Sequence, residues 1–418
     1  MGCLLGNMII EISIENYLSV KDKVTLSLES SSSKKLSQNL IELSKDDNLL
    51  KSVVIYGANA SGKSNIIKSV LFLWNMVKNS HNFNVDTKIP RLPFKLDETY
   101  LEKPSKFEVI FIHKNIKYKY GFSCTNDKII DEYLFYWPHG REALIFSRKD
   151  TTKYEFKSDK RRQDIIKPQM NNNVLYLSRA TQLGYEKTRN AYEFIVNNIV
   201  INISPLWQDI TIKKIFENQD LKNRIIEVLK KADFGGIVDV KVDKKKGQLQ
   251  GIEFKFGKEG PSFNPLKPQE QDVYNVKFQH KTKNGHLIDF LIHEESLGTQ
   301  KFFSMLGPIF DILESGKIAI IDELESSLHP NIIKFLVKLF HSKYNRNAQL
   351  IFTTHNTSLL GNELLRRDQI YICTKEPNKN TILTSLLDFD LREDADFERA
   401  YLNGRVGGLP FIDETLFD

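Results

Sequence analysis

One stretch carries the strongest chemical signal, Val53-Val54-Ile55-Tyr56 followed by Gly57-Ala58-Asn59-Ala60-Ser61-Gly62-Lys63-Ser64 and Asn65. The eight central residues fit G-x-x-x-x-G-K-S. Glycines let a loop curl until successive backbone N–H groups point inward, and a following helix N-terminus adds partial positive charge, so the pattern suits a phosphate. Lys63 would reach the β- and γ-phosphates, and Ser64 would offer its hydroxyl to Mg²⁺. Gly57, Asn59, Ala60, Ser61, Gly62 and Asn65 complete the expected cradle. The flanks agree. Val53–Tyr56 reads as a short buried strand, and Ile66, Ile67, Val70, Leu71, Leu73, Trp74 and Val77 recur at helical spacing. ATP and Mg²⁺ are therefore the expected cofactors.

Phosphate chemistry also needs a second metal contact and a base. "KIAIIDELESSLHP" offers both, as Ile318–Ile321 reads as a strand ending in Asp322-Glu323. Asp322 would hold Mg²⁺, and Glu323 would polarise an attacking water. "AQLIFTTH" ends a later strand at His355, a candidate γ-phosphate sensor, and "DQIYICTK" forms another. Between Asp322 and His355, Pro330 opens a helix with Ile332, Phe335, Leu336, Leu339 and Phe340 on one stripe. Strand–helix–strand is the grammar of a parallel sheet. "HEESLGTQKFF" has a polar half and an aromatic half. It reads as a helix packed at its back through Phe302, Phe303, Leu306, Ile309 and Phe310, with a kink near Gly307-Pro308. Its first N–H groups, near Ser296 and Gly298, are free for an anion.

The elements that must position these residues follow from patterning. "KFEVIFIHKNIKYKYGFSC" and "DEYLFYWPHGREALIFS" alternate apolar and polar residues about Asn115 and Pro138-His139-Gly140, as antiparallel hairpins do. From about 160 to 235 the spacing turns helical, and 237–293 returns to strands. "SRATQLGYEKTR" at 178–189 reads as helix caps before a contact to nucleotide or partner. The expected organisation is 8–157, an N-terminal nucleotide-binding lobe; 158–293, a helical insertion with a small sheet; and 294–418, a C-terminal lobe with tail. No heptad run is long enough for a coiled coil.

Composition sets bounds. The 418 residues are 41% hydrophobic and 27% charged, ordinary for a globular chain. A net charge of +6 permits nucleic-acid contact without requiring it, since the clusters Lys160-Arg161-Arg162, Lys230-Lys231 and Lys244-Lys245-Lys246 are short. Cys3, Cys124 and Cys373 form no metal or disulfide framework, which fits a cytoplasmic protein. No apolar run approaches a membrane span. Gly2-Cys3 hints at lipidation, but Gly6 stands where Ser or Thr would be wanted, and Met8 reads as an alternative start. Asp388 and Asp390 have a D-x-D spacing but read as a solvated acidic segment, with no room for a nuclease domain after them.

The order of these motifs resembles the ABC-type ATPases. More than half the chain separates Lys63 from Asp322, which resembles the SMC/RecF/OLD branch, as does the opening "IEISIENYLSVKDKVTLSL". "ESLGTQKFF", "IDELESSLHP", "FTTHNTSLL" and "YLNGRVGGLP" look like RloA-type and abortive-infection phage-defence ATPases, with AriA of PARIS and PtuA of Septu as related groups. The resemblance implies an α/β ABC-ATPase head with a P-loop parallel sheet core, an antiparallel β extension and an inserted helical arm. It implies a homodimer or higher homo-oligomer in which Ser296 and Gly298 contact ATP held by another subunit, and Ser326-Ser327-Leu328-His329 crosses the interface. It also implies a separate effector, a nuclease or toxin. Two departures stand out: His329 replaces the Asp common in the crossing loop, and "RLPFKLDETYLEKPSKFEVIF" has no Gln to link Mg²⁺ to the second lobe. The alternative is a RecF-like repair ATPase that contacts DNA. A non-hydrolysing scaffold is disfavoured by Glu323.

Overall fold

The structure is a computed structural model. It describes residues 6–44, 47–201, 207–232, 236–249, 252–257, 260–265, 269–392 and 395–409. Gly2, Cys3 and Pro410 lie outside these. The chain forms two compact units, Met1–Asn202 with Ile312–Asp418, and Ile203–Asp311. The architecture is α/β, as expected.

The first unit is built on two large sheets, with a small two-stranded one of Leu40–Glu42 and Asn48–Leu50 beside them. One has the order Ile199–Ile201, Ile318–Ile321, Gln349–Thr353, Ser52–Tyr56, Ile370–Lys375, Thr381–Ser385, with neighbours parallel except the last pair. The three strands at its centre and the acidic strand carry continuous apolar runs, because a parallel sheet is covered on both faces. Every residue of Ser52–Tyr56 is buried. The other sheet is antiparallel, in the order Lys153–Glu155, Ala143–Lys149, Ile129–Trp137, Ile116–Cys124, Ser105–His113, Met8–Glu15, Val24–Ser27. Its hairpin at Lys114-Asn115 has both turn residues at positive φ, the geometry that matches strand twist. The helix Lys63–Asn79 packs between the sheets, and one apolar core runs through Ile55, Ile66, Phe72 and Phe107. On this helix Phe72 and Met76 are buried, whereas Leu71 and Trp74 are half-buried. Trp74 instead donates its indole N–H to Val196 O.

Buried polar side chains fix how these layers meet. Gln349, fully buried, imitates a strand: its Oε1 accepts from Ile9 N at 2.7 Å, and its Nε2 faces Ile9 O and Leu50 O, each at 3.1 Å. Ser52 Oγ lies 2.8 Å from His341 Nε2 and accepts from Gln369 Nε2, pinning the start of the P-loop strand.

Three expectations change. The units divide at 202/203 and 311/312, not at 157/158 and 293/294. The helices Lys160–Ile166, Tyr176–Gln182 and Glu186–Glu193 belong to the first unit. The reason is electrostatic as well as apolar. Buried Glu132 on the antiparallel sheet accepts the N–H groups of Tyr176 at 2.6 Å and Leu177 at 2.9 Å, satisfying a helix N-terminus. Burial raises the Glu132 pKa, and those bonds oppose the rise. Second, "NNIV" at 197–200, read as helical, ends in an edge strand, Ile199–Ile201. Third, the buried face of the helix Pro330–His341 includes Leu336, Leu339 and Phe340 as expected, but Ile333 and Val337 are buried where Ile332 and Phe335 were expected, those two being half-buried.

The second unit holds helices Trp207–Glu217 and Gln219–Lys231 and an antiparallel sheet of Ile237–Leu249, Gln269–Lys281 and Leu287–Leu291. A small hairpin, Ile252–Gly257 with Gly260–Pro265, joins it. The helix Leu297–Ser315 begins in this unit and continues through Pro308. Proline removes the N–H that would serve the carbonyl four residues back. That carbonyl, Ser304 O, instead accepts from the buried Thr211 hydroxyl at 2.7 Å, and Thr211 Oγ1 in turn accepts from Gly307 N at 3.1 Å. The helix is assigned without a break across the Gly307-Pro308 step where a kink was expected.

Candidate nucleotide-binding site

Gly57–Ser64 curls at the carboxyl end of Ser52–Tyr56, between the ends of Gln349–Thr353 and Ile370–Lys375. This is where open α/β sheets bind ligands. Gly57 and Gly62 hold φ of 150° and 115°. A Cβ on Gly62 would stand 2.2 Å from Thr381 Oγ1, and one on Gly57 2.2 Å from Cys373 O. Ser19, Cys373 and Thr381 brace the loop from behind. Thr381 Oγ1 is 2.9 Å from Ser61 O and 2.7 Å from Ser19 Oγ, which also accepts from Asn65 at 2.7 Å. Sequence reading missed these three, because nothing local marks residues that meet the loop from far along the chain.

Lys63 is buried, and its ammonium donates to the loop's own carbonyls, Gly57 O at 2.7 Å and Ala58 O at 3.0 Å. Burial lowers its pKa, and the nearby Cys373, Glu325, Asp322 and Glu323 pull the other way. Ser61 Oγ is buried without a hydrogen-bond partner.

Asp322 and Glu323 follow the acidic strand, whose neighbour is the histidine strand. Thr353 ties the two ends together. Its hydroxyl donates to Asp322 Oδ1 at 2.6 Å and accepts from Glu323 N at 2.8 Å, and its carbonyl accepts from Leu324 N at 3.1 Å. Glu323 sits at φ 50°, in the left-handed region that non-glycine residues seldom adopt, a feature that gathers at functional sites. His355 lies two residues past its strand, exposed. Tyr56, ending the P-loop strand, donates its hydroxyl to Asn356 O at 2.9 Å. Lys63, Asp322, Glu323 and His355 thus gather at three adjacent strand ends. Thr353 was hidden in the sequence, although a polar residue closing a buried strand was a signal.

The residues fit a Mg²⁺–nucleotide. The loop offers an unpartnered buried hydroxyl at Ser61 and a Lys63 ammonium hydrogen-bonded to backbone carbonyls. Ser64 and Asp322 could supply hard oxygen ligands, with phosphate and water completing the shell. The described residues hold no cluster of three or more His, Cys, Asp or Glu suited to a metal, and Asp388 and Asp390 are exposed.

Other expected positions fall elsewhere. Ser296 and Gly298 are in the second unit, where Ser296 Oγ caps its helix by accepting from Thr299 N at 3.1 Å. Leu297, between them, is 75% exposed. His329 caps the helix Pro330–His341, its Nδ1 accepting from Asn331 N at 3.2 Å. In the segment without Gln, Leu92 O accepts from Leu18 N, and Phe94 N donates to Asn16. That segment helps line a cavity of about 320 Å³ beside the P-loop helix, with Ser19, Asn65, Lys375 and Lys379. In the 178–189 stretch, Ser178 Oγ meets His81 Nδ1 at 3.0 Å, a packing role.

A family model described as "AAA domain, putative AbiEii toxin, Type IV TA system" matches residues 52–204 and 208–361. The chain belongs to this AAA-domain family. Membership makes it a P-loop ATPase-class protein and implies nucleotide binding. No curated protein matches the sequence. Similar solved structures include an SMC head bound to the C-winged helix domain of ScpA, with 15% identity and a TM-score of 0.45 over 90% of this chain and 97% of that one. An SMC head domain from Thermotoga maritima shares 14% identity at a TM-score of 0.40, over 90% and 98%. An Smc head domain with a coiled coil and joint from Pyrococcus yayanosii shares 12% at 0.43, over 96% and 100%. No described helix is long and apolar enough to cross a membrane.

Proposed function

We propose that the chain is an ATP-hydrolysing ABC-type ATPase subunit of a bacterial antiphage defence system of the abortive-infection type. It oligomerises around ATP and controls a separate effector, a nuclease or toxin. The observation that carries the enzymatic part is the gathering of Lys63, Asp322, Glu323 and His355 at three adjacent strand ends tied by Thr353. The defence role is supported by the toxin-system description of the family.

In this reading Lys63 exchanges its carbonyl partners for the β- and γ-phosphates, and the loop N–H groups cradle them. Ser64 and Asp322 hold Mg²⁺, which neutralises charge on the phosphates. Glu323 orients the attacking water and takes its proton. His355 faces the γ-phosphate. Ser296 and Gly298 of a second copy close the site, with exposed Leu297 at the contact.

The test combines hydrolysis with solution mass. Lys63→Ala should abolish ATP binding or turnover. Glu323→Gln should slow turnover by about a hundredfold or more and accumulate an ATP-bound oligomer in light scattering. Ser296→Arg should stop hydrolysis and leave ATP binding measurable. Normal turnover in the Lys63 variant would sink the site assignment, and an unchanged mass for the Glu323 variant would sink the shared site. The RecF-like reading draws on the exposed Lys160, Arg161 and Arg162; it requires duplex binding that weakens steeply with salt.

A further inference from the structure

The acidic loop carries a third carboxylate, Glu325, that neither the metal nor the base role uses. Its Oε1 accepts the backbone N–H of His355 at 2.6 Å, a short charge-assisted bond. Its Oε2 is buried with no hydrogen-bond partner. The carboxylate is therefore committed through one oxygen to the histidine loop, 30 residues along the chain. Its charge also reaches the P-loop side, since it raises the pKa of both Lys63 and Tyr56.

We propose that Glu325 is a positioning residue for His355, making the histidine loop move with the acidic loop. The geometry is a rigid bracket. Thr353 O holds Leu324, Thr353 Oγ1 holds Asp322 and Glu323, and Glu325 holds His355. Residues 322–325 and 353–355 are laced by four hydrogen bonds, so a displacement of Asp322 or Glu323 by Mg²⁺–ATP is passed to His355 through Glu325. Beyond His355 the loop is held at Asn356 by Tyr56, the residue that enters the P-loop. His355 thus stands between one anchor on the P-loop strand and one on the acidic loop. Without Glu325 the first anchor remains and the second is lost, leaving an exposed imidazole with no fixed backbone on the acidic side.

The inference rests on the site being an ATPase, and its test separates the two. In the full chain, Glu325→Ala should lower kcat about ten- to a hundredfold and leave affinity for a non-hydrolysed ATP analogue within about threefold. Glu325→Gln, which keeps an acceptor oxygen, should recover most of that loss. Added to His355→Ala, Glu325→Ala should cost little more, because both remove one device. Full additivity, an unchanged kcat, or a Gln variant as slow as the Ala variant would each overturn the proposal. If the Ala variant does not fold, Glu325→Asp keeps the charge and shortens the reach; it must also lower kcat, and normal turnover overturns the proposal. A wild-type chain with no ATPase activity defeats the functional reading itself, whereas an active wild type with an indifferent Glu325 defeats only this inference.

Discussion

Lys63 is held in the loop by the Gly57 and Ala58 carbonyls, so its ammonium is stored at the curl that the proposed function needs for phosphate. The storage depends on the loop's curvature. Gly62→Ala puts a Cβ at φ 115° against Thr381 and Ser19, and the clash with Thr381 Oγ1 at 2.2 Å leaves no room. We expect a loss of about 1–3 kcal/mol in urea denaturation and a larger loss of ATP affinity in titration; a variant with wild-type affinity would show that the curl is dispensable. The residues that touch phosphate in this reading could be found in the sequence, because their spacing is imposed by the ligand. The residues that hold them could not. Ser19, Cys373 and Thr381 hold their places through contacts between segments more than 300 positions apart, and Thr353 through contacts about 30 positions away, and such contacts leave no local period. Glu325 was visible as a third acid in "DELE", but its partner is a backbone N–H, which no side-chain pattern reveals.

Among elements, the helix Leu297–Ser315 shows how a proline can be accommodated without ending a helix. Pro308 does orphan the Ser304 carbonyl, and the sequence rightly marks the spot. The helix runs on because Thr211, from another helix of the same unit, fills the gap. Thr211→Val should cost about 1–3 kcal/mol by leaving a buried acceptor unpaired. Pro308→Ala in the same chain restores a backbone donor and should return part of that stability, measured by denaturant midpoint. Equal losses in the single and double variants would mean that the valine simply packs badly. The acidic strand was read to the residue, since four consecutive apolar residues capped by Asp-Glu admit one register. The strand Ile199–Ile201 was not, because three residues leaving a helix with Phe194 and Ile195 buried look like its next turn.

For the molecule as a whole, two buried histidines set an acid limit. Burial drives His341 down to about 3, and His113 down to about 4 with help from Lys114. Both are neutral when folded and protonate more readily when unfolded, near the usual 6.5. Above that pH they add no pH dependence. As pH falls from 6.5 toward 4 and 3, the unfolded chain binds protons that the folded chain refuses, so stability declines. The melting temperature should drop across this window, and His341→Gln should flatten the drop; an unchanged slope would remove His341 from the account. The sheet order was only partly legible, because the notion of a parallel core came from strand–helix–strand grammar, whereas the edge strand Thr381–Ser385 and the Gln349 clamp depend on pairings that grammar does not encode. That clamp has a consequence in time. Ser52–Tyr56 leaves the ribosome well before its partners, since both of its parallel neighbours and Gln349 itself come roughly 300 residues later, on the order of 15 s to a minute at ordinary synthesis rates. Until then the P-loop strand has bare edges on either side, while the contiguous unit Ile203–Asp311 is already complete. The nucleotide site is thus finished only after the unit Ile203–Asp311 has been made, and a newborn chain cannot cradle a phosphate before its partner strands arrive.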